Sequence, residues 1–181
     1  MKDSLILKEG KVLIYPTDTI WGIGCSALCV DAVEKVKSIK GRDNTKSLIL
    51  LVKDLRMLSD YVKEIPQVAL DLIKSAQEPT TIIYSNPKNL PIENLSSNGK
   101  IGIRIPKNNY LQNLFEEFPY PIVSTSANFT GRPSPHNFAD IDKELLQQAD
   151  YVSTYNREIN NHSNGSSIYL IEEDNTLKKL R

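Results

Sequence analysis

The chain has 181 residues, of which 40% are hydrophobic and 24% charged, and this composition is typical of a soluble globular protein. Its 22 Lys and Arg residues balance its 22 Asp and Glu residues, so no global positive field favours nucleic acid or an anionic membrane. The length, together with the lack of a Gly/Ser-rich or Pro-rich linker, predicts one domain over residues 1–181.

The N-terminus and the cysteines point to an intracellular protein. Only three apolar residues stand together before Lys8, too few for a signal peptide, and nowhere do eighteen apolar residues follow one another. Cys25 and Cys29 are too few for a disulfide framework. A zinc site would need two further ligands, and His136 and His162 are distant. We therefore expect a cytoplasmic protein without a metal site, whose cysteines pack in the core.

Hydrophobic periodicity changes repeatedly along the chain, which predicts a mixed α/β domain. Residues 47–52 are apolar through their middle, which predicts a central strand buried on both faces. Residues 156–167 are rich in Asn and Ser, which predicts a mobile loop that is either a lid or a connector. The predicted strands are residues 12–15, 47–52, 81–84, 101–105, 122–123 and 167–171, and the predicted helices lie within residues 33–39, 69–76, 111–118 and 142–149.

Polar residues follow the first predicted strand, where Pro16 removes a ladder donor. Thr17, Asp18 and Thr19 suit a ligand site at a strand end, although the same residues suit a turn or a helix cap. The amino acids at positions 22–27 match the Gly-x-Gly-x-x-Ala consensus of dinucleotide-binding sites. Because the next helical pattern starts only after Asp31 and no acidic residue ends a second strand, a dinucleotide site is disfavoured.

Cations cluster where the first predicted helix, within residues 33–39, breaks at Gly41. Lys40 and Arg42 could compensate the negative end of the helix macrodipole or bind phosphates. The hydrogen-bond donors of residues 43–47, including Lys46, favour phosphate binding. A further cation, Arg104, stands in an apolar strand. It predicts either a structural salt bridge or a bound carboxylate, and the sequence favours neither.

Residues 124–135 hold five hydroxyls, one amide and one cation after a predicted strand, more polar groups than a turn needs. They predict ligand contacts and not a serine hydrolase, because Gly-x-Ser-x-Gly is absent, and a P-loop is absent as well. Ser126 and Asn128 would lie across one anion-binding pocket from Lys40 and Arg42, on its opposite side.

Five segments in order, residues 16–25, 40–42, 47–50, 102–106 and 124–131, resemble the YrdC-like family of threonylcarbamoyl-AMP synthases. The resemblance implies an α/β fold, a twisted open mixed sheet with flanking helices around a large concave basic cavity. It also implies a nucleotidyltransferase that makes threonylcarbamoyl-AMP and pyrophosphate from L-threonine, bicarbonate and ATP. That reaction would be the first step of threonylcarbamoyladenosine modification of tRNA beside the anticodon, with Mg²⁺ accompanying ATP, partner proteins accepting the product, and weak RNA binding.

The resemblance also implies residue roles. Catalysis would fall to Lys40, Arg42, Ser126 and Asn128. The same four residues would contact ATP together with Lys46, Ser134 and Arg181, and threonine would be bound by Thr17, Thr19, Arg104, Ser124 and Ser166.

Some positions depart from the family pattern, and other functions stay open. Leu51 stands where many longer relatives have a histidine, Trp21 where a tyrosine at the pocket wall is more usual, and Lys100 where threonine is often found. The chain ends at Arg181, which implies the short form of the family. A non-catalytic RNA-binding module is the alternative, disfavoured by zero net charge. A carbamoyl-transfer domain like those of hydrogenase-maturation proteins would normally lie within a much longer chain.

Overall fold

The protein is described by a computed structural model that covers residues 2–41, 48–91, 95–96, 98–158 and 165–181. Its described part is a mixed α/β structure with a twisted open sheet and flanking helices. The strands are β1 (Leu13–Tyr15), β2 (Gly22–Ser26), β3 (Ile49–Leu51), β4 (Thr80–Tyr84), β5 (Ile101–Arg104), β6 (Ile122–Ser126), β7 (Tyr151–Val152), β8 (Ser167–Ile171) and β9 (Leu177–Lys179). The helices are α1 (Lys2–Lys8), α2 (Val30–Lys40), α3 (Leu55–Tyr61), α4 (Gln67–Ser75), α5 (Asn109–Glu117) and α6 (Lys143–Gln148), with a 3₁₀ turn at Phe138–Asp140.

The strands form one sheet in the order β7-β1-β2-β6-β3-β5-β4-β8-β9. The pairs β1/β7, β3/β5 and β4/β8 are parallel, and the other neighbours are antiparallel. The central position predicted for β3 is confirmed, since β3 is fifth of nine and Leu50 and Leu51 are fully buried. Only Ile49 is partly exposed, at the rim of the cavity described below.

The predicted helical stripes cover this sheet. Val33, Val36 and Ile39 of α2 are buried, and the helix breaks at Gly41 as predicted. The φ of Gly41 is 55°, a left-handed conformation that is typical of a helix stop. The Gly41 N–H donates to the carbonyls of the last turn of α2. Helix α5 begins with the side chain of Asn108 accepting the N–H of Leu111. The C-terminus of α2 is therefore fixed at the sheet edge where the polar loops lie.

Several elements were not predicted. Strand β2 was missed because glycines interrupt it, yet a Cβ at Gly24 would lie 1.8 Å from the Val123 carbonyl oxygen, so the glycine permits close approach of β6. Five of the six residues that match the dinucleotide fingerprint, Gly22–Ser26, therefore lie in a strand. Strand β6 continues to Ser126 instead of ending at Val123, because its polar end pairs with β2. The short elements α1, α3, β7 and β9 carry too little periodicity to be seen.

Helix α1 is held by a buried carboxylate. The hydroxyls of Tyr110 and Ser153 both donate to Asp3 Oδ2 at 2.6 Å. Burial is the main reason why the pKa of Tyr110 is raised, and the hydrogen bond to Asp3 raises it further, so the Tyr110 hydroxyl stays a donor.

Within the described ranges, no helix is both long and apolar enough to cross a membrane. Half of the segment predicted as a lid or connector, residues 159–164, lies outside those ranges.

Candidate functional site

One cavity of about 530 Å³ lies where the polar ends of the central strands meet the C-terminus of α2, within the range for small-molecule sites. The family resemblance implied twelve site residues, and ten of them line this cavity. The remaining two, Arg42 and Lys46, lie outside the described residues. The ten are Thr17, Thr19, Lys40, Arg104, Ser124, Ser126, Asn128, Ser134, Ser166 and Arg181.

Lys40 is the buried cation of one end of the cavity, with 4% of its surface exposed. Its ammonium group donates to the carbonyl oxygens of Ser126 and Asn128, each at 2.5 Å, and to Asn128 Oδ1 at 2.8 Å. Its own carbonyl accepts the N–H of Thr130 at 3.1 Å. The expectation that Lys40 and the Ser126–Asn128 pair face each other from opposite sides is therefore wrong. Helix α2 and strand β6 end at the same edge, so these groups form one cluster.

Arg104 is the buried cation of a second polar corner. Its Nη1 lies 3.1 Å from Asp18 Oδ1 and donates to Thr19 Oγ1 at 3.2 Å. Thr17 Oγ1 lies 2.9 Å from Thr19 Oγ1 and donates to the Ile20 carbonyl at 2.7 Å. The salt bridge that the sequence left open is therefore present, whereas binding of a ligand carboxylate stays a prediction.

Ser166 closes the same corner from the position just before strand β8. Its hydroxyl lies 2.8 Å from Thr81 Oγ1, and its carbonyl accepts Nε and Nη2 of Arg181 at 3.1 and 2.9 Å. Thr81 is fully buried, lines the cavity and was missed by sequence reasoning. Its position opposite Arg104 in the β4/β5 pair depends on sheet register, which no local pattern reveals.

Three positions that depart from the family pattern have different surroundings. Lys100 lines the cavity. Leu51 does not; it is fully buried beside Arg104 in the β3/β5 register. The expectation that Trp21 forms the pocket wall is wrong, because its ring packs on Phe138 at 5.2 Å between centroids and is only 2% exposed.

His136 also lines the cavity, although sequence reasoning gave it no role. Cys25 is buried and Cys29 partly buried, and neither forms a disulfide. Burial raises the pKa of the Cys25 thiol, so this side chain packs as a neutral group. Among the described residues, no group of three or more His, Cys, Asp or Glu side chains is placed to hold a metal ion.

The fold and the cavity define an α/β protein with a polar small-molecule site that carries buried cations at two places. The chain belongs to the Sua5/YciO/YrdC family, whose model, described as "Telomere recombination", matches residues 5–181. Threonylcarbamoyl-AMP synthase of Pseudoalteromonas translucida is 31% identical over 148 residues, which are 80% of this chain and 79% of that protein. A protein of Methanocaldococcus jannaschii, named provisionally as the same enzyme, is 35% identical over 168 residues, 92% of this chain and 77% of its own.

Solved structures of Sua5 and YciO proteins support the same family assignment. Escherichia coli YciO superposes with a TM-score of 0.86 and 26% identity, covering 99% of this chain and 86% of YciO. Pyrococcus abyssi Sua5 superposes with a TM-score of 0.86 and 25% identity. A crystal structure of the same Sua5 in complex with L-threonine superposes with a TM-score of 0.79 and 24% identity, which by itself shows only the shared fold. The chain spans about half of Sua5, 51% of its length.

Proposed function

We propose that this protein forms threonylcarbamoyl-AMP and pyrophosphate from L-threonine, bicarbonate and ATP, the first step of threonylcarbamoyladenosine modification of tRNA. The observation that carries the proposal is the cavity itself, which has a cluster around Lys40 and a corner around Arg104. Relatives that carry this enzyme name match most of the chain, and a Sua5 protein has been crystallised with L-threonine.

The reaction joins two anions, so the site must bring them together and offset their charge. The carbamate made from the threonine amine and bicarbonate attacks the α-phosphorus of ATP through an oxygen, and the bond to the leaving pyrophosphate breaks. Lys40 and Arg42 supply positive charge to the phosphates. Ser126 and Asn128 share the Lys40 cluster, so their hydroxyl and amide groups are held beside that charge. Lys46, Ser134 and Arg181 complete the proposed nucleotide contacts.

The threonine would occupy the corner of Arg104. A guanidinium group suits a carboxylate because its donors form a planar fork. Hydroxyl groups surround it: Thr17 and Thr19 are linked at 2.9 Å, and Ser124 and Ser166 are both 6% exposed and line the same cavity. Such groups can bind the amine and the side-chain hydroxyl of threonine.

Magnesium would enter with ATP and not through a protein site. Mg²⁺ prefers carboxylate, water and phosphate oxygens. The described lining of the cavity contains no Asp or Glu, so the residues present do not fit a protein-held magnesium ion there. We therefore regard MgATP as the substrate complex, with the phosphates holding the ion.

Pyrophosphate release is the measurement that tests the function. We expect release that requires ATP, L-threonine and bicarbonate together, with loss of signal when any one is omitted. Pyrophosphate release that ignores threonine would refute the synthase. The alternative, a non-catalytic RNA-binding module, predicts no release with any combination but tRNA binding that weakens steeply with salt. Partner proteins that accept the unstable product would be needed for modified tRNA, so tRNA modification itself should not appear with this protein alone.

Arg42 provides a variant for the same assay. Arg42→Ala should abolish threonine-dependent release while leaving the circular dichroism spectrum unchanged, because the side chain is proposed to face phosphates and not the core. The helix-macrodipole role that the sequence left open predicts the opposite pattern, nearly normal release with a small loss of stability.

A further inference from the structure

Asp18 is a buried carboxylate behind Arg104, and the proposed function gives it no role. Its side chain is 10% exposed, and that of Arg104 is 6% exposed. Asp18 does not line the 530 Å³ cavity but a neighbouring one of about 480 Å³. Thr17 lines both, so the Asp18–Arg104 pair stands between the two cavities.

The pair is largely shielded from solvent. The sheet neighbours of Arg104 in register are Leu51 on β3 and Thr81 on β4, and both are fully buried. An isolated guanidinium in such surroundings would lose its hydration without compensation, so Asp18 is needed to keep the charge inside the fold. Removal of its charge should therefore affect where the guanidinium rests.

The contact leaves part of the arginine unused. Nη1 of Arg104 lies 3.1 Å from Asp18 Oδ1, yet this oxygen accepts no well-aligned hydrogen bond from the described residues. Nε of Arg104 is also buried without a hydrogen-bond partner there. The other oxygen, Oδ2, is 3.4 Å from the backbone N of Lys107. Asp18 therefore compensates the charge of Arg104 without occupying both edges of its fork.

We infer that Asp18 is a positioning residue that holds the Arg104 guanidinium from behind, so that its free Nε edge is presented to the carboxylate of the amino-acid substrate. This inference rests on the proposed function for the identity of the substrate. Asp18 touches no substrate atom; it acts by fixing the donor that does. Charge compensation by Asp18 also leaves the threonine corner neutral before binding, unlike the cluster at Lys40.

Asp18→Asn is the variant that tests the role, because it keeps the size of the side chain and removes its charge. We expect the KM for L-threonine to rise about tenfold, the effect of losing roughly one charge-assisted hydrogen bond, with kcat and the KM for ATP within about threefold of wild type. Asp60→Asn, at an exposed carboxylate of α3 that lines neither cavity, is the matched control. An unchanged KM for threonine, or equal loss for both substrates, would overturn the inference.

A nuclear magnetic resonance measurement keeps the inference testable if Asp18→Asn does not fold. The Nε–H signal of Arg104, assigned with Arg104→Lys, should be resolved and slow to exchange in the free wild-type protein, and should shift when L-threonine is added. If the Arg104 signal of the free protein exchanges rapidly and overlaps with the signals of exposed arginines, the guanidinium is not fixed and the inference is refuted. This measurement on the free protein needs no activity, so absence of threonine-dependent pyrophosphate release would count against the proposed function alone.

Discussion

Replacing Lys40 with methionine removes one buried ammonium group and keeps its apolar stem. The group donates to three oxygens within 2.8 Å, the carbonyls of Ser126 and Asn128 and Oδ1 of Asn128. Charge-assisted hydrogen bonds of this kind contribute about 1.5–3 kcal/mol each, but desolvation of the ammonium offsets much of their sum. Water can reach the abandoned oxygens through the cavity, so we expect a net loss of about 2 kcal/mol.

Thermal unfolding and pyrophosphate release measure the two consequences separately. A loss of about 2 kcal/mol lowers the Tm of a protein of this size by roughly 4–8 °C. Because the ammonium is proposed to face the phosphates, threonine-dependent release should fall about 10²–10³-fold at a temperature where the variant is folded. The activity loss should therefore greatly exceed any loss of folded protein.

Lys37→Met on the same helix is the matched control. Lys37 pairs with Glu34 at 2.8 Å in an i,i+3 ion pair, in which the lysine side chain is 12% and the carboxylate side chain 48% exposed. Ion pairs that reach solvent in this way contribute at most about 1 kcal/mol. It should keep both Tm and activity close to wild type. A Lys40→Met protein that releases pyrophosphate within threefold of wild type would refute a catalytic Lys40, whatever its stability.

Two further predictions concern packing and pH. Gly24→Ala should destabilise the protein by at least about 3 kcal/mol in urea unfolding, because its Cβ would lie 1.8 Å from the Val123 carbonyl oxygen. Gly102→Ala should cost less, because the nearest atom to its Cβ would be a methyl group of Thr81 at 3.2 Å. Equal losses for the two variants would contradict this reasoning. Burial alone would raise the pKa of Asp150, but hydrogen bonds from Lys35 and the Val12 N–H outweigh it, so the pKa of this carboxyl lies below its ordinary value. A carboxylate whose pKa is lowered by folding stabilises the folded state at pH values above its pKa in the unfolded chain. This contribution is lost as the pH falls through its pKa in the folded protein. Lys35→Met should move the Asp150 pKa upward in a carboxyl NMR titration, and an unchanged pKa would show that Lys35 is not the cause.

Local chemistry was enough to place the central parts of the fold. The apolar run in residues 47–52 predicted a central strand, and the glycine after Lys40 predicted the helix end, because burial on two faces and a left-handed stop each leave a short-range signature. Strand β2 was missed because its glycines serve a partner strand and not a local preference. A contact with Val123, a hundred residues away, decides why Gly24 is glycine.

The sequence by itself indicated which chemical groups could form a site, because hydroxyl, amide and cationic side chains gather directly after predicted strands and a predicted helix. Tertiary structure alone decided their arrangement. It placed Lys40 in contact with Asn128 instead of across a pocket, removed Trp21 to the core, and added Thr81 from a strand with no motif. It also joined Asp18 to Arg104, eighty-six residues apart. Pairing over such separations depends on sheet order and register, which are properties of the whole chain and not of any short segment of it.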